Sequence, residues 1–561
     1  MGGAEAEPGA SPAEVSRPTT VRRAATGMGV ATAVSRGFGF VRILVIAAVL
    51  GTTFLGNAYS SSNSVSNVLF ELLASGALSA VLVPTFVAFL DRGDRRGAEE
   101  LAGSLLGIAM IVLTVVAAIG MAAAPLIARL LTSGVHDPQV AAQQRSLSTF
   151  LLYFFIPQIV LYAIGAIAVA ALYAQRRLAV TGIAPIGLTV VVVVAMGVFR
   201  ALAGPDPGLS LNLAEKLVLA LGGTLGVAAF VGIPAVALWR GGDGHAGFRL
   251  VPRFRRRRDH AVQHLLKLSG WAAFQNSMVG ALLLAAIVVG NRVEGGTVAY
   301  QVSFTFFLAP YAVLAQPIHT AIHPDLARQT ELKDAFARSL RWALDAMALL
   351  VVPISAGMIA LSQPIMRVAA FGHAQHAGGV ALLSAGLATF GVGLFTYSAF
   401  LLFVRAYYAF GVGKTPALVA LIASIVGVGV TVGAGVAVHG AAVVSAIGIG
   451  HSLAYAVGAL VLGFGLARRA GHSVFPSVLP KAVLVSAPLG LAAWWISRTV
   501  APSGRIATLA LLAALTAVGG AAYIGIMRVI GGVPERPPHA PGAPDEPDVV
   551  DLDPADVGIE E

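Results

Sequence analysis

The chain has 561 residues, of which 57% are hydrophobic and only 11% are charged. A typical soluble domain is about 25% charged, so this composition excludes a fully water-exposed surface, whereas hydrocarbon can surround apolar outer faces. The net charge of +10 does not indicate nucleic-acid binding, because the basic residues lie in short clusters between apolar segments. Cysteine is absent, which excludes disulfides, thiolate metal sites and cysteine nucleophiles.

Residues 1–24 are polar and rich in Pro and Ala, and we expect a disordered cytoplasmic N-terminus without a cleavable signal peptide. A bilayer core about 30 Å thick requires about 20 apolar residues in a helix, and about fourteen segments satisfy this. The second segment is too long for one straight span, so a break is predicted at Ser75-Gly76, and 124–131 predicts a re-entrant or interfacial piece. The predicted spans are 30–52, 57–90, 101–123, 147–174, 178–200, 215–239, 265–290, 296–326, 341–361, 380–411, 415–438, 440–466, 477–497 and 505–530.

The two halves of the chain show an internal repeat. Tyr59 precedes Pro84 by 25 residues, Tyr300 precedes Pro324 by 24, and the two tyrosines are 241 residues apart. Duplicated helical bundles are typical of secondary transporters. The predicted fold is therefore an all-α integral membrane protein with two six-helix lobes and two further helices. The predicted units are the N-terminal lobe 25–240, a basic loop 241–264, the C-terminal lobe 265–468, helices 13 and 14 in 469–531, and a disordered acidic tail 532–561.

Arginine clusters predict the orientation, because cytoplasmic loops carry an excess of Lys and Arg. The clusters alternate with apolar segments in a way that puts both termini in the cytoplasm of a bacterial cell. The run that includes Arg255–Arg258 either sets topology or binds anionic lipid head groups. The clusters assigned to the cytoplasmic side include Arg17, Arg22, Arg23, Arg92, Arg95, Arg96, Arg176, Arg177, Arg253, Arg328, Arg338, Arg341, Arg468 and Arg469.

Two arginines in the first predicted span are the main candidate substrate-binding residues. Arg36 and Arg42 are six positions apart, or about 9 Å along a helix axis, on faces about 120° apart. A buried charge normally faces protein or a wet cavity, and the planar guanidinium suits bidentate binding of pyrophosphate. The alternative for Arg36, which is nearer the cytoplasmic end, is that its side chain reaches the interface.

Four polar residues within or beside the spans are weaker candidates for substrate binding. Glu71 is predicted either to pair with an arginine or to contact substrate. Gln275 and Asn276 fit hydrogen bonding between helices at least as well as ligand binding. Asn57 enters this group because of its position beside the repeated Ala-Tyr pair.

The remaining intramembrane polar residues do not indicate catalysis, a metal site or a cofactor. Arg405 is interpreted as an interfacial anchor, and Asp345 as the i,i+4 partner of Arg341. His319 and His323 have the spacing of a ligand pair, but no carboxylate or third ligand follows in sequence. Hydrolase, metalloprotease and nucleotide-binding motifs are absent from the sequence.

The stretch Ser35-Arg36-Gly37-Phe38-Gly39-Phe40-Val41-Arg42 resembles the opening helix of the MurJ/MviN family of lipid II flippases. The resemblance continues through Leu50-Gly51, Asn57-Ala58-Tyr59 and Val83-Pro84, and includes Pro310, Pro324 and the segment from Arg405 to Pro416. It covers roughly residues 25–530. The abundance of Ala, Gly and Arg over Lys resembles actinobacterial members.

The resemblance implies the fold of the multidrug/oligosaccharidyl-lipid/polysaccharide exporter (MOP) superfamily, with two lobes around a cationic cavity. It also implies a groove for the polyprenyl tail between helices 13 and 14, and contacts from Arg36 and Arg42 to the lipid pyrophosphate. Four positions depart from the family pattern, and they imply a less cationic cavity. They are Ile43 and Asn57 in place of Asp, and Phe70 and Thr305 in place of Arg.

The favoured function is a flippase that moves a polyprenyl-pyrophosphate-linked glycopeptide, lipid II, to the outer leaflet by alternating access. The chain is then a transporter whose partners are its substrate, membrane lipids and other cell-wall synthesis proteins. The alternatives are a flippase for another polyprenyl-linked glycan and a non-transporting scaffold for the cell-wall machinery. A drug or cation antiporter is disfavoured, because Glu71 is the only suitable deep carboxylate.

Overall fold

The computed structural model describes residues 35–70, 76–242, 247–253, 260–375 and 378–534, and its regular elements are all helices. The first nine pack together as an N-terminal bundle, and the next nine as a C-terminal bundle. The N-terminal bundle consists of α1 (35–50), α2 (Phe54–Phe70), α3 (Gly76–Asp91), α4 (Arg95–Ala122), α5 (Ala124–Leu131), α6 (Pro138–Phe155), α7 (Gln158–Ala174), α8 (Leu178–Ala203) and α9 (Leu213–Arg240). The C-terminal bundle consists of α10 (His260–Gly290), α11 (Gly296–Pro310), α12 (Gln316–Arg328), α13 (Lys333–Ala360), α14 (Ser362–Ala369), α15 (Gly379–Val392), α16 (Leu394–Ala409), α17 (Lys414–Ala437) and α18 (Ala441–Ala470), followed by α19 (Leu479–Val500) and α20 (Arg505–Val529).

The helices coincide with the predicted spans. Among the described residues ten helical segments are long and apolar enough to cross a membrane, or eleven if α15 and α16 form one bent span. The three other predicted spans also contain helices. Helix α1 is described only from residue 35, and the apolar part of α10 is short. Residues 71–75 of the second span lie outside the described residues, so the break predicted at Ser75-Gly76 stays a prediction. Helix α5 confirms that 124–131 is a separate short piece. Residues 1–34 and 535–561 lie outside the described residues, as does the acidic tail predicted there.

Backbone chemistry explains why helices account for this architecture. Hydrocarbon offers no hydrogen-bond partners, so a chain that crosses it must satisfy its peptide groups internally. At the helix ends side chains take over this task. Asp94 accepts a bond from the Gly97 amide at the start of α4, and Asn212 and Glu215 form a reciprocal capping box at the start of α9.

The internal repeat is visible where α2 and α11 meet. The Nε2 atom of Gln301 donates to the carbonyl oxygen of Ser60 at 3.2 Å, and these residues are 241 positions apart. That separation equals the offset between Tyr59 and Tyr300, both of which are buried. Equivalent positions contact each other only near the axis that relates two copies of a motif. The bundles therefore meet along their pseudo-symmetry axis at this point.

Two helical spans bend beside the interface between the bundles. After Pro310 the chain makes a π-helical turn, Tyr311–Ala315, before α12 continues the span. Proline lacks an amide hydrogen and its ring crowds the preceding turn, which accounts for local widening at this position. Helices α15 and α16 meet at 49° at Gly393, where a larger side chain would meet Ser452. Both bends bring side chains of the C-terminal bundle toward α1.

The segment 247–253 ties the basic loop to α4. The Arg253 amide donates to the Gly103 carbonyl at 2.9 Å, and its guanidinium lies 3.0 Å from the Glu100 carboxylate. A side chain at position 103 would meet the Val251 carbonyl, so glycine permits this close approach. The run 254–259, which holds most of the predicted basic cluster, lies outside the described residues.

Asp345 has a different role from the one expected from sequence. Its carboxylate accepts hydrogen bonds from the Val478 amide at 2.8 Å and the Ser477 hydroxyl at 3.0 Å. These donors lie at the start of α19, where peptide N–H groups lack intrahelical partners. The interpretation of Asp345 as a partner of Arg341 is therefore wrong, since Arg341 instead donates to the Ser473 carbonyl. The buried carboxylate fixes α19 against α13, and α20 packs on α19 and α14.

Candidate functional site

At one end of the interface, which we call the Asn57 end, the bundles are joined by neutral hydrogen bonds. Asn57 is 0% exposed, and its amide nitrogen donates to the Val293 carbonyl at 2.8 Å. Its carbonyl oxygen accepts from the Thr297 amide at 3.0 Å. The side chain thus satisfies one donor and one acceptor of the other bundle, where an unpaired buried group would be costly. Asn57 is part of an interbundle contact in this conformation.

Further amide side chains extend this contact. Gln301 donates to the Ser64 hydroxyl at 2.8 Å in addition to its bond with Ser60. Gln144 on α6 donates to the Asn291 side chain at 3.0 Å, and both residues are fully buried. Sequence reasoning missed these residues as interbundle contacts. For Gln301 the available signal was the repeat itself, because Ser60 is 241 positions away, whereas Gln144 and Asn291 are 147 positions apart and gave no such signal.

At the opposite end of α1, which we call the Arg36 end, the contacts are fewer and cationic. The Arg36 guanidinium is exposed and donates to the Gln316 side-chain oxygen at 2.7 Å. Deeper along the same helix, the rings of Phe40 and Phe306 lie 4.5 Å apart across the interface. Arg36 therefore faces the C-terminal bundle beside the π-helical turn.

A second arginine from the other bundle lies near Arg36. Arg405 on α16 is half-buried, and its charge acts on the hydroxyl of Tyr311, as does the charge of Arg36. Arg405 also lies within electrostatic range of the buried His319. The expected anchor at the membrane interface is thus directed toward interior groups. Its position two residues before the aromatic pair Tyr407-Tyr408 gave no signal of this in the sequence.

Arg42 lies at the middle of α1 and faces the N-terminal bundle. It is half-buried and lies within electrostatic range of Tyr59 on α2 and Tyr162 on α7. Within the described part of the chain, neither Arg42 nor Arg405 forms a hydrogen bond or an ion pair. The structure does not bring Arg36 and Arg42 to a common neighbour, because their different faces direct them to different bundles.

The weaker candidates are distributed away from this cluster. Gln275 is buried and accepts a 2.7 Å hydrogen bond from the Tyr408 hydroxyl, which joins α10 to α16. Asn276 beside it is half-buried. Glu71 lies outside the described residues, so its predicted pairing cannot be assigned a geometry. The Nε2 atom of His319 lies 3.2 Å from the Met347 sulfur, in a buried environment.

The arrangement suits the binding of an anion rather than bond-making chemistry. Arg36 and Arg405 both lie near Tyr311, Arg42 lies near Tyr59 and Tyr162, and neither Arg42 nor Arg405 forms a hydrogen bond or an ion pair among the described residues. Tyr311, Tyr397 and Gln316 add neutral hydrogen-bonding groups near Arg36. In the described ranges no group of three or more His, Cys, Asp or Glu side chains is placed to hold a metal ion.

Two bundles of membrane-spanning helices related by an internal repeat are the usual construction of the secondary transporter class. Comparisons with known proteins identify its family. The family model described as "Lipid II flippase MurJ" matches residues 46–515, so the chain belongs to the MurJ family, which is a family of transporters rather than enzymes. It is a multi-pass membrane protein.

Curated relatives are distant but extend over most of the chain. The probable lipid II flippase of Rhizobium meliloti is 26% identical over 91% of this chain and 94% of that protein. The one from Haemophilus influenzae is 25% identical over 71% and 78%, and the one from Rhizobium tropici is 25% identical over 61% and 62%. The chain thus spans less than two thirds of the Rhizobium tropici protein in that match.

Solved structures support the fold. The structure titled "Lipid II flippase MurJ, inward closed conformation" matches 90% of this chain and 99% of its own with a TM-score of 0.68 and 18% identity. An inward-facing multidrug transporter of the MATE family matches 77% of this chain and 95% of its own with a TM-score of 0.60 and 13% identity. These likenesses confirm the all-helical membrane fold predicted from the sequence.

Proposed function

We propose that this chain moves lipid II from the cytoplasmic to the outer leaflet of a bacterial cytoplasmic membrane. Family membership supports this substrate, since the matching family and its relatives carry that name. A polar, cationic path spares the sugars and pyrophosphate from entering hydrocarbon, where unpaired polar groups are costly. The excess of arginine over lysine supports an actinobacterial-type member.

The proposed orientation puts both termini in the cytoplasm. Arg92, Arg95, Arg96, Arg176 and Arg177 lie at helix ends on the same side as Arg36, and cytoplasmic loops are enriched in such residues. The Arg36 end then faces the cytoplasm and the Asn57 end faces outward. A lipid-linked anion from the inner leaflet would meet Arg36 first.

The arginines are the proposed binding groups for the lipid pyrophosphate. The single observation that carries this assignment is that Arg42 and Arg405 are half-buried on opposite bundles without an anionic partner among the described residues. Such groups bind phosphate oxygens through charge-assisted hydrogen bonds, which are about twice as strong as neutral ones. Arg36 would add a third contact after it releases Gln316.

Transport would proceed by rocking of the two lobes, for which we retain the boundaries 25–240 and 265–468. The substrate moves the equilibrium between the two orientations only by its differential affinity for them. Helices in 469–531 would hold the polyprenyl tail, because their outer faces are apolar and exposed. Asn57, Glu71, Gln275 and Asn276 stay weaker candidates for contact with the headgroup.

The test is complementation in cells depleted of their own lipid II flippase. Wild type should restore growth, and Arg42→Ala should fail at equal membrane abundance. The matched control is Arg469→Ala, which removes a positive charge from the same end, where it stacks on Tyr407 with a 5.5 Å separation. The control should restore growth.

Two outcomes would favour other functions. Failure of the wild type at full abundance would support a flippase for another polyprenyl-linked glycan, since the fold would be intact but the substrate wrong. Growth restored equally by wild type, Arg42→Ala and Arg36→Ala would remove these arginines from the mechanism. It would also favour a scaffold that binds other cell-wall synthesis proteins.

A further inference from the structure

Two histidines face each other across the bundles at the Asn57 end. His136 lies in the loop between α5 and α6 of the N-terminal bundle, and His439 lies between α17 and α18 of the C-terminal bundle. Their ring centroids are 6.4 Å apart and the rings are inclined by 41°. Both side chains are exposed. The pair is therefore an accessible interbundle contact outside the cationic site.

Arg292 holds the two loops in this arrangement. Its side chain packs so closely against Gly134 that a Cβ atom at that position would collide with it. Its guanidinium donates to the Val436 carbonyl at 3.4 Å. Gly134 is two residues before His136, and Val436 is three before His439. One side chain thus fixes both loops close to their histidines.

The imidazole nitrogens are free to bind a ligand. Within the described ranges, neither His136 nor His439 forms a hydrogen bond or an ion pair. Asp137 follows His136, and only one of its carboxylate oxygens is used, as the cap of α6. The chain contains no cysteine that would compete for a soft metal. Neutral imidazole is a preferred ligand of zinc, copper and nickel.

The separation of the rings is close to that of two histidines that share a metal ion. Zinc binds histidine nitrogen at about 2.0–2.1 Å, so it stands roughly 3 Å from each ring centroid, and a tetrahedral angle between the two bonds puts the centroids about 5 Å apart. The observed 6.4 Å is wider by about 1 Å, a difference that rotation of the exposed side chains closes. We propose that His136 and His439 form a two-histidine site for a divalent transition metal, with water completing the coordination.

The bridge has a mechanical consequence. A metal bound to both bundles holds the Asn57 end closed, because separation of the bundles breaks one of its two bonds to histidine. Metal binding then selects the closed conformation by its differential affinity. This inhibition rests on the proposed alternating movement, whereas binding itself does not depend on what the protein carries.

The binding test uses purified full-length protein with Zn²⁺, and with Cu²⁺ for electron paramagnetic resonance. Zn²⁺ should raise the Tm of the wild type, and a chelator should reverse the shift. Cu²⁺ should show hyperfine coupling to two imidazole nitrogens. The variants His136→Ala and His439→Ala should each lose both signals while keeping the metal-free Tm. His323→Ala, which removes an exposed histidine at the Arg36 end, should keep them.

The transport test adds Zn²⁺ from the outer side during lipid II translocation. Wild type and His323→Ala should be inhibited, and the double variant H136A/H439A should be resistant. A metal-dependent Tm rise that persists in the double variant would overturn the site. Loss of binding in the variants without inhibition of the wild type would overturn the locking step. Absence of translocation by metal-free wild type would contradict the proposed function, while the binding test would still decide the site.

Discussion

The two ends of the bundle interface differ in the chemistry of their contacts. At the Asn57 end, buried amides and backbone groups satisfy each other, and Asn57 alone makes two interbundle bonds. At the Arg36 end, one exposed guanidinium reaches Gln316, and the neighbouring Arg405 has no partner in the described part of the chain. The polar groups at the Asn57 end therefore satisfy one another, whereas the Arg36 end contains a guanidinium group that the proposed function assigns to an anionic ligand.

The free energies expected for the contacts also differ between the two ends. A typical neutral hydrogen bond contributes about 0.5–1.5 kcal/mol net, and leaving a buried partner unpaired costs about 1–3 kcal/mol. The exposed bond between Arg36 and Gln316 competes with water, and even exposed ion pairs contribute only about 0–1 kcal/mol. We therefore expect opening of the Asn57 end to be the more costly movement, and in the proposed mechanism a ligand at the Arg36 end supplies the difference through its differential affinity.

The largest expected effect comes from removing a charge at the Arg36 end. Arg405→Ala should abolish complementation, since hydrogen bonds to charged groups are worth about 1.5–3 kcal/mol each. Its affinity for inorganic pyrophosphate should fall about a hundredfold in calorimetry on purified protein. The pyrophosphate affinity of Arg405→Lys should lie between those of wild type and Arg405→Ala, because lysine keeps the charge but not the bidentate geometry.

The control for this experiment is Arg468→Ala, which removes an arginine from the exposed last turn of α18. It should leave pyrophosphate affinity unchanged. If both alanine variants lost affinity to the same extent, general surface charge rather than the local arrangement of Arg405 would account for binding.

A smaller effect is expected at the neutral end. Asn57→Ala leaves the Val293 carbonyl and the Thr297 amide unpaired, which should favour opening about tenfold. The chain lacks cysteine, so a single thiol introduced by Ser64→Cys reports opening through its rate of maleimide labelling from outside. Ser64 suits this purpose because it is buried and contacts Gln301.

Asn212→Ala provides the matched control, because Asn212 caps α9 and its side chain bonds only to Glu215 of the same bundle among the described residues. In the Ser64→Cys background, the maleimide labelling rate of Asn212→Ala should equal that of Ser64→Cys alone. If Asn57→Ala in the Ser64→Cys background were labelled at the same rate as Ser64→Cys alone, the buried amide of Asn57 would contribute nothing to closure at this end.

Much of the fold was predictable because the bilayer restricts the choices. Apolar length alone located helices such as Leu213–Arg240 and Arg505–Val529 to within a few residues. The short helix Ala124–Leu131 was also recognisable. The role of Asp345 could not be predicted, because a carboxylate that caps a helix 133 residues away leaves no local pattern in the sequence.

The site was less predictable than the fold for the same physical reason. Arg36 and Arg42 were identifiable as candidates from their depth, but their assignment to different bundles depends on helix rotation against distant partners. Arg405 could not be distinguished by sequence from an arginine that anchors a helix end at the membrane interface. Asn57 was noticed for its place in a motif, whereas its two bonds to the other bundle depend on tertiary contact.

The smallest effect is expected from the hydrogen bond between Arg36 and Gln316. Gln316→Ala removes a neutral acceptor that competes with an anion for Arg36, so pyrophosphate affinity should rise about two- to fivefold. Gln316→Glu should lower the affinity instead, because a carboxylate at the same position competes more strongly and repels the ligand. Both substitutions change one exposed contact, so the Tm should stay within about 2 °C of wild type. Calorimetry that gave both variants the same affinity would show that Arg36 does not exchange Gln316 for an anion, and the contrast between the two ends would then depend on Arg405 and Arg42 alone.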